Sequence, residues 1–206
     1  MFGSKKKSRA VNSGKATFVI ITGCAGSGKT SLGERLSREI GWMYIDKDTV
    51  TRDFTDYILE DKGQSRSDRE SDLYCNNIRP IEYKITFKVC EENLELGNSV
   101  ILTIPFIAQI QDYNIWLNMT KEYGIDLDDI NVKFVWINHD EGSEFTRVTK
   151  RGAERDGYKL NHWEEYARSI EGIKPDSRYN AYCYDNDSSS ADEIYVKDVI
   201  EWIIKF

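Results

Sequence analysis

The run Gly23-Cys24-Ala25-Gly26-Ser27-Gly28-Lys29-Thr30 constrains this chain more than any other stretch. It has the G-x-x-x-x-G-K-[ST] spacing of a phosphate-binding loop, and its flanks agree with that reading. Residues 17–22, Thr-Phe-Val-Ile-Ile-Thr, form a continuous β-branched and aromatic run suited to a buried parallel strand. Residues 31–40 then space Leu32, Leu36 and Ile40 four apart, one apolar stripe on a helix. Glycines let the backbone fold around an anion without Cβ clashes. The freed N–H groups and the helix N-terminus then point at phosphate oxygens. The expected binding set is Gly23, Cys24, Ala25, Gly26, Ser27, Gly28, Lys29, Thr30 and Ser31. Lys29 reaches the β- and γ-phosphates, and the Thr30 hydroxyl ligates Mg²⁺. A glycine-rich turn that binds nothing would need neither the Lys-Thr pair nor both flanks.

The chain's 206 residues suit one domain, or one domain with an insertion. Net charge is −7, and the only charges in residues 1–15 are Lys5, Lys6, Lys7, Arg9 and Lys15, so residues 16–206 are five units more acidic than the whole. A body that acidic argues against a broad nucleic-acid surface. Residues 1–15 read as a disordered basic arm and 16–206 as the folded domain. Cys24, Cys75, Cys90 and Cys183 show neither CxxC pairing nor metal spacing with His139 or His162. With no secretory pattern, reduced thiols in a cytoplasm are expected. No apolar run approaches a membrane span.

Further strands are expected at 42–45, 99–104, 131–137 and 181–184. Helices are expected from 50–60, over 69–96 with a break near Pro80, over 113–123 and over 194–206. The helix at 50–60 carries Val50, Phe54, Tyr57 and Ile58 on one side. The second half of 69–96 carries Ile81, Ile85, Val89 and Leu96. The last helix carries Val196, Val199, Ile200, Ile203 and Ile204. Strands alternating with helices indicate a parallel α/β sheet covered on both faces. Ligands of such sheets sit at the C-terminal strand ends, which selects residues 23–30, 46–48, 103–106, 138–140 and 185–187.

Asp46 and Asp48 follow the second strand beside the loop. One carboxylate can hold a Mg²⁺-bound water while the other accepts the proton of an attacking hydroxyl. We assign the metal role to Asp46 and the base to Asp48, against the alternative that Asp here only caps the next helix. Arg147, Arg151, Arg155 and Lys159 are spaced by four and lie on one face of any helix through them. They read either as a solvated face paired with Glu144, Glu154 and Asp156 or as a lid over about 147–160. A lid delivers cations to a transferring phosphoryl group, with Arg151 and Arg155 as its catalytic members. His139 and His162 have no catalytic constellation. Cys24 is open to alkylation but carries no redox signature.

Three segments together resemble a family of small P-loop kinase-like ATPases related to gluconate kinase, shikimate kinase, chloramphenicol phosphotransferase and the zeta-toxin kinases. They are the phosphate loop, Tyr44-Ile-Asp-Lys-Asp-Thr-Val-Thr-Arg52, and Thr146 through Leu160 with Trp163. The resemblance covers most of residues 17–205. It implies a three-layer P-loop NTPase sandwich with a five-stranded parallel sheet in the order 2-3-1-4-5. It also implies a helical lid, acceptor binding within about 50–97, and an adenine contact at Asn186 to Ser190. Where relatives often carry an Asp after strand three, this chain has Thr103-Ile104-Pro105, which shifts metal support to Asp46. The function expected is transfer of the ATP γ-phosphate, with Mg²⁺, to a hydroxyl of a small molecule. The alternatives are a kinase of nucleic-acid ends or other macromolecules and a nucleotide-binding regulatory ATPase. GTPase elements of the Asp-x-x-Gly and Asn-Lys-x-Asp kind are absent. Monomer and homodimer both remain open.

Overall fold

A computed structural model describes residues 14–138, 141–186 and 192–205. Most of the basic arm, His139, Asp140 and residues 187–190 lie outside these. Lys15 already belongs to the folded part, since its ammonium donates to the Asp128 carbonyl.

Five strands form one sheet, β1 (Ala16–Gly23), β2 (Met43–Asp46), β3 (Val100–Thr103), β4 (Ile130–Ile137) and β5 (Tyr182–Tyr184). Their order is β2-β3-β1-β4-β5, and every pairing is parallel. β1 is central, with Phe18–Ile21 opposite Val100–Thr103 on one side and Ala16–Gly23 opposite Ile130–Ile137 on the other. The side-chain period of two then divides its apolar run between two cores. Phe18 and Ile20 join Phe134, Trp136 and Leu102 against Phe87, Trp116 and Tyr123. Val19 and Ile21 join Ile101, Val135 and Ile137 against Leu32, Leu36, Val196, Val199 and Ile203.

The helices of the first half are α1 (Lys29–Ile40), α2 (Lys47–Asp61), α3 (Arg79–Glu95), α4 (Ile107–Gln111) and α5 (Tyr113–Tyr123). Those of the second half are α6 (Glu141–Arg151), α7 (Gly157–Asn161), α8 (Trp163–Ile170) and α9 (Asp192–Ile204). The expected break near Pro80 is a π turn at Tyr74–Ile78, with Pro80 in the first turn of α3. There the missing N–H costs nothing, because first-turn donors have no intrahelical acceptor.

Two helices turn the other way from their apolar patterns. α2 exposes Val50, Phe54 and Tyr57, packs Ile58 partly against Leu59, Tyr74 and Ile78, and buries Lys47, Thr51, Thr55 and Leu59. α3 exposes Ile81 and Ile85, with Leu96 exposed at its C-cap, packs Val89 partly against the core, and buries Glu82, Tyr83, Thr86, Phe87, Cys90 and Leu94. The reason lies between them. The Glu82 carboxylate accepts from Lys47 Nζ (2.8 Å), Tyr74 OH (2.9 Å), Thr55 Oγ1 (2.6 Å) and Thr51 Oγ1 (3.3 Å). A buried charge must be paired and fully hydrogen-bonded, and this requirement sets the rotation of both helices. On α9, Val196, Val199 and Ile203 are buried as expected, but Ile204 is exposed.

Candidate active site

β1 delivers the chain into the phosphate loop at the C-terminal edge of the sheet. Gly26 and Gly28 take φ of +80° and +99°, conformations that favour glycine. Neither has room for a side chain. A Cβ on Gly26 would lie 2.7 Å from the Glu144 carbonyl and 2.8 Å from Val148, and one on Gly28 would lie 2.3 Å from Asn186 Nδ2. The loop is therefore clamped between α6 and the end of β5. Asn186 Nδ2 donates to the Ser27 carbonyl (2.7 Å). Arg147 donates to the Gly26 carbonyl (3.3 Å) and the Asn186 carbonyl (2.5 Å). The Ala25 N–H donates to Tyr166 OH (2.7 Å).

The loop fits a phosphate chain on three counts. Gly28 caps α1 without any side-chain hydrogen bond, which leaves first-turn N–H donors for an anion. Ser27 Oγ is buried with no hydrogen-bond partner among the described residues. Lys29 Nζ folds back onto the carbonyls of Gly23 (3.0 Å) and Cys24 (2.7 Å). Burial lowers the Lys29 ammonium to about 8, against the opposing fields of Cys24 and Asp48. The expectation that Cys24 is open to alkylation is corrected. The residue is buried, and burial, reinforced by the Glu144 charge, pushes its thiol up to about 12. That leaves almost no thiolate to react.

Asp46 is the N-cap of α2. Its Oδ1 accepts from the Thr49 N–H (2.9 Å), and its Oδ2 accepts from Thr103 Oγ1 (2.7 Å) and lies 3.4 Å from Thr30 Oγ1. The capping alternative thus applies to Asp46, with a second oxygen left beside the loop threonine. Thr103, whose hydroxyl also meets Tyr44 OH (3.1 Å), takes the place of the absent strand-three acid by holding one on the neighbouring strand. Thr30 Oγ1 and Asp46 Oδ2 are hard oxygens suited to Mg²⁺. Of the other residues expected after β3, Ile104 and Phe106 are buried in the aromatic core and do not face the site.

Asp48 lies in the first turn of α2, in contact with Lys47 Nζ (2.9 Å) and Arg155 Nη1 (2.7 Å). Partial burial opposes its ionisation, but the Lys47 and Arg155 charges prevail and hold its carboxyl down at about 2. The four-spaced basic ladder does not lie on one helix face, because α6 ends at Arg151 and Gly152 turns with φ of +59°. Each member takes its own partner. Arg147 holds the phosphate loop, Arg151 pairs with the buried Asp156 (2.7 Å), Arg155 reaches Asp48, and Lys159 pairs with Glu70 (2.7 Å). Arg151 remains near enough to the loop for its charge to act on Lys29.

Sequence reasoning missed Glu82, Tyr166 and the loop-holding role of Arg147. A lone Glu or Tyr on a helix carries no pattern that betrays a buried or long-range partner. Asn138 and Asp185, expected at the strand ends, meet each other there through Asn138 Nδ2 and Asp185 Oδ1 (2.5 Å). Of the expected adenine-side residues only Asn186 is described, and its amide is spent on the loop. Among the described residues no helix is long and apolar enough to cross a membrane.

A family model described as an AAA domain matches residues 18–173. The cytidylate kinase of Onion yellows phytoplasma is 26% identical over 102 residues, which is 45% of this chain and 46% of that protein. The chain thus spans about half the length of the curated relatives it matches. Among solved structures, a candidate kinase of Chloroflexus aurantiacus is 18% identical with a TM-score of 0.62, covering 93% of this chain and 96% of that one. A gluconokinase of Sinorhizobium meliloti is 14% identical with a TM-score of 0.52, covering 92% and 93%. At such identities the structures share a fold and no more. The family match runs from β1 past the paired arginines of the site, and the sheet order is that of the P-loop kinase fold. The chain therefore belongs to this AAA-domain family and shares the fold of those P-loop kinases.

Proposed function

We propose that the protein transfers the γ-phosphate of ATP to a hydroxyl of a small molecule. The observation that carries this reading is the placement of Asp48. It sits between Lys47 and Arg155 at the sheet edge, and its charge acts on the loop lysine Lys29. An acid beside a phosphate loop, bounded by Lys47 and Arg155, suits a reaction that needs an oriented hydroxyl and cations around the transferring group.

In this reading Gly23 to Ser31 cradle the phosphates, and Asn186 fixes the loop on the adenine side. Thr30 and Asp46 would hold Mg²⁺, which supplies charge neutralisation to the phosphate oxygens. Residues 147–160 act as the lid, and Arg151 and Arg155 meet charge that develops during transfer. A carboxylate held at about 2 is a weak base, so Asp48 serves first by orienting the acceptor. Its basicity rises when Arg155 turns from it to the phosphates. The region 50–97 takes the acceptor. The test is transfer of label from γ-labelled ATP to a panel of hydroxyl compounds, with Lys29→Ala as the control. Label in a small-molecule product, absent in Lys29→Ala, supports the reading; label released only as free phosphate would favour the regulatory ATPase.

A further inference from the structure

Tyr166 reaches the phosphate loop from α8. Its phenol oxygen accepts from the Ala25 N–H (2.7 Å), and the carbonyl of the same Cys24–Ala25 peptide accepts from Lys29 Nζ (2.7 Å). One peptide of the loop is thus held at both edges, by an ammonium at one and a phenol at the other. In a phosphate loop the backbone N–H groups cradle the α- and β-phosphates, and the lysine reaches the β- and γ-phosphates. The peptide on which Lys29 rests therefore lies towards the γ end of the phosphate path, and Tyr166 lies there with it.

Only half of the phenol's bonding capacity is used. A tyrosine hydroxyl both accepts and donates, and among the described residues Tyr166 accepts from Ala25 and donates to none. Burial raises the phenol above its ordinary range, so the O–H keeps its proton. Accepting from the Ala25 N–H polarises the hydroxyl and makes its own proton a better donor. The ring is also fixed in place. Trp163 packs on it with centroids 5.3 Å apart, and Phe145 of α6 packs on Trp163 at 5.1 Å. Lys159, itself paired with Glu70, lies 5.8 Å from the centre of the Tyr166 ring.

We propose that Tyr166 donates a hydrogen bond from its phenol to a γ-phosphate oxygen of the bound nucleotide, and so distinguishes the triphosphate from the diphosphate. This assignment rests on the phosphotransferase reading above and adds a residue to its site. A hydroxyl bound to an ionised oxygen makes one of the stronger hydrogen bonds. ADP brings no γ oxygen to receive it. During transfer the charge is spread over the three oxygens of the moving group, so a fixed neutral donor holds one of them while Lys29 neutralises charge from the other edge of the peptide.

The test is an equilibrium titration of the full chain with ADP and with a non-hydrolysable ATP analogue, each with Mg²⁺, in the parent and in Tyr166→Phe. The substitution keeps the ring against Trp163 and removes one oxygen. It should weaken binding of the analogue about ten- to a hundredfold and leave ADP within about twofold. A phenol that only clamps the loop would weaken both nucleotides by the same factor, and that result would overturn the proposal. So would an unchanged affinity for the analogue. A parent that binds neither nucleotide would sink the phosphate-loop reading and the proposal together. Because binding is read without turnover, a selective loss of the analogue in a protein that transfers label to no acceptor would leave Tyr166 at the γ-phosphate and sink the phosphotransferase reading alone.

Discussion

Arg155 and Asp48 are 107 positions apart in the chain and 2.7 Å apart in the fold, Nη1 to Oδ2. The pair joins the segment after α6 to the first turn of α2 across the mouth of the phosphate loop. Together with Lys47, Arg155 holds the Asp48 carboxyl down at about 2.

Asp48→Asn keeps the size and most of the hydrogen bonding of that carboxylate but removes its charge. Affinity for ATP and Mg²⁺ should stay near that of the parent. Single-turnover transfer at saturating Mg²⁺ should fall by about two to four orders of magnitude. A normal rate would reduce Asp48 to an ion-pair partner. Its folded acidity, about 2 against an ordinary 3.8, also carries a pH signature. A depressed carboxylate stabilises the fold above its unfolded value, and that stability is lost as pH falls from about 4 towards 2. With a third of the side chain exposed, screening reduces the contribution to the order of 1 kcal/mol. Acid-unfolding profiles of parent and variant should therefore converge below pH 2.

Lys29 shifts stability in the same direction, but in an alkaline window. Burial holds its ammonium at about 8 instead of the ordinary 10.5. Between those values the unfolded chain binds more protons, so this group makes the nucleotide-free fold more stable as pH rises. Phosphates need the charged form. ATP binding near pH 8 should therefore take up protons, and affinity should weaken as pH rises above that. Calorimetry in buffers of different ionisation enthalpy checks both. In Lys29→Ala the uptake should vanish along with most of the affinity.

Arg151→Ala and Arg155→Ala should each slow transfer more than they weaken ATP binding, because the charge they meet develops in the transition state. Residues 147–160 should become protected from hydrogen exchange when ATP and acceptor are both bound. If both variants instead lose only thermal stability, the Arg151–Asp156 and Arg155–Asp48 pairs are structural.

Glu82→Ala should be destabilising by about 1–3 kcal/mol in denaturant unfolding, since it removes one of the two carboxylates that pair with the buried Lys47 and leaves the Thr55 and Tyr74 hydroxyls without their acceptor. The double variant Glu82→Leu with Lys47→Met should recover most of that loss. Transfer in the double variant should remain slow, because Lys47 would no longer hold Asp48.

Gly26→Ala should cost at least about 2 kcal/mol, from the left-handed backbone together with the collision on α6. Gly97→Ala, with φ of +77° but nothing within 4 Å, should cost about 1 kcal/mol. Thermal unfolding of the two variants separates backbone strain from the clamp on the loop.

The sequence by itself determined the strand, loop and helix of residues 17–40, the parallel α/β class and the Asp46–Asp48 step. These rest on short-range patterns that physics reads locally, such as β-branched runs, glycines at tight turns and apolar spacing of four. The sheet order 2-3-1-4-5 came from likeness to known kinases, because pairing between strands is a long-range property. Tertiary structure alone decided which face of α2 and α3 is buried. Their apolar stripes lost to the buried Glu82, which must be satisfied by Lys47, Thr51, Thr55 and Tyr74 from other elements. It also divided the basic ladder, since one glycine turn after Arg151 sends residues spaced by four to four different partners. Charge pairing depends on where chains meet in space, and residue spacing along one segment carries no record of that.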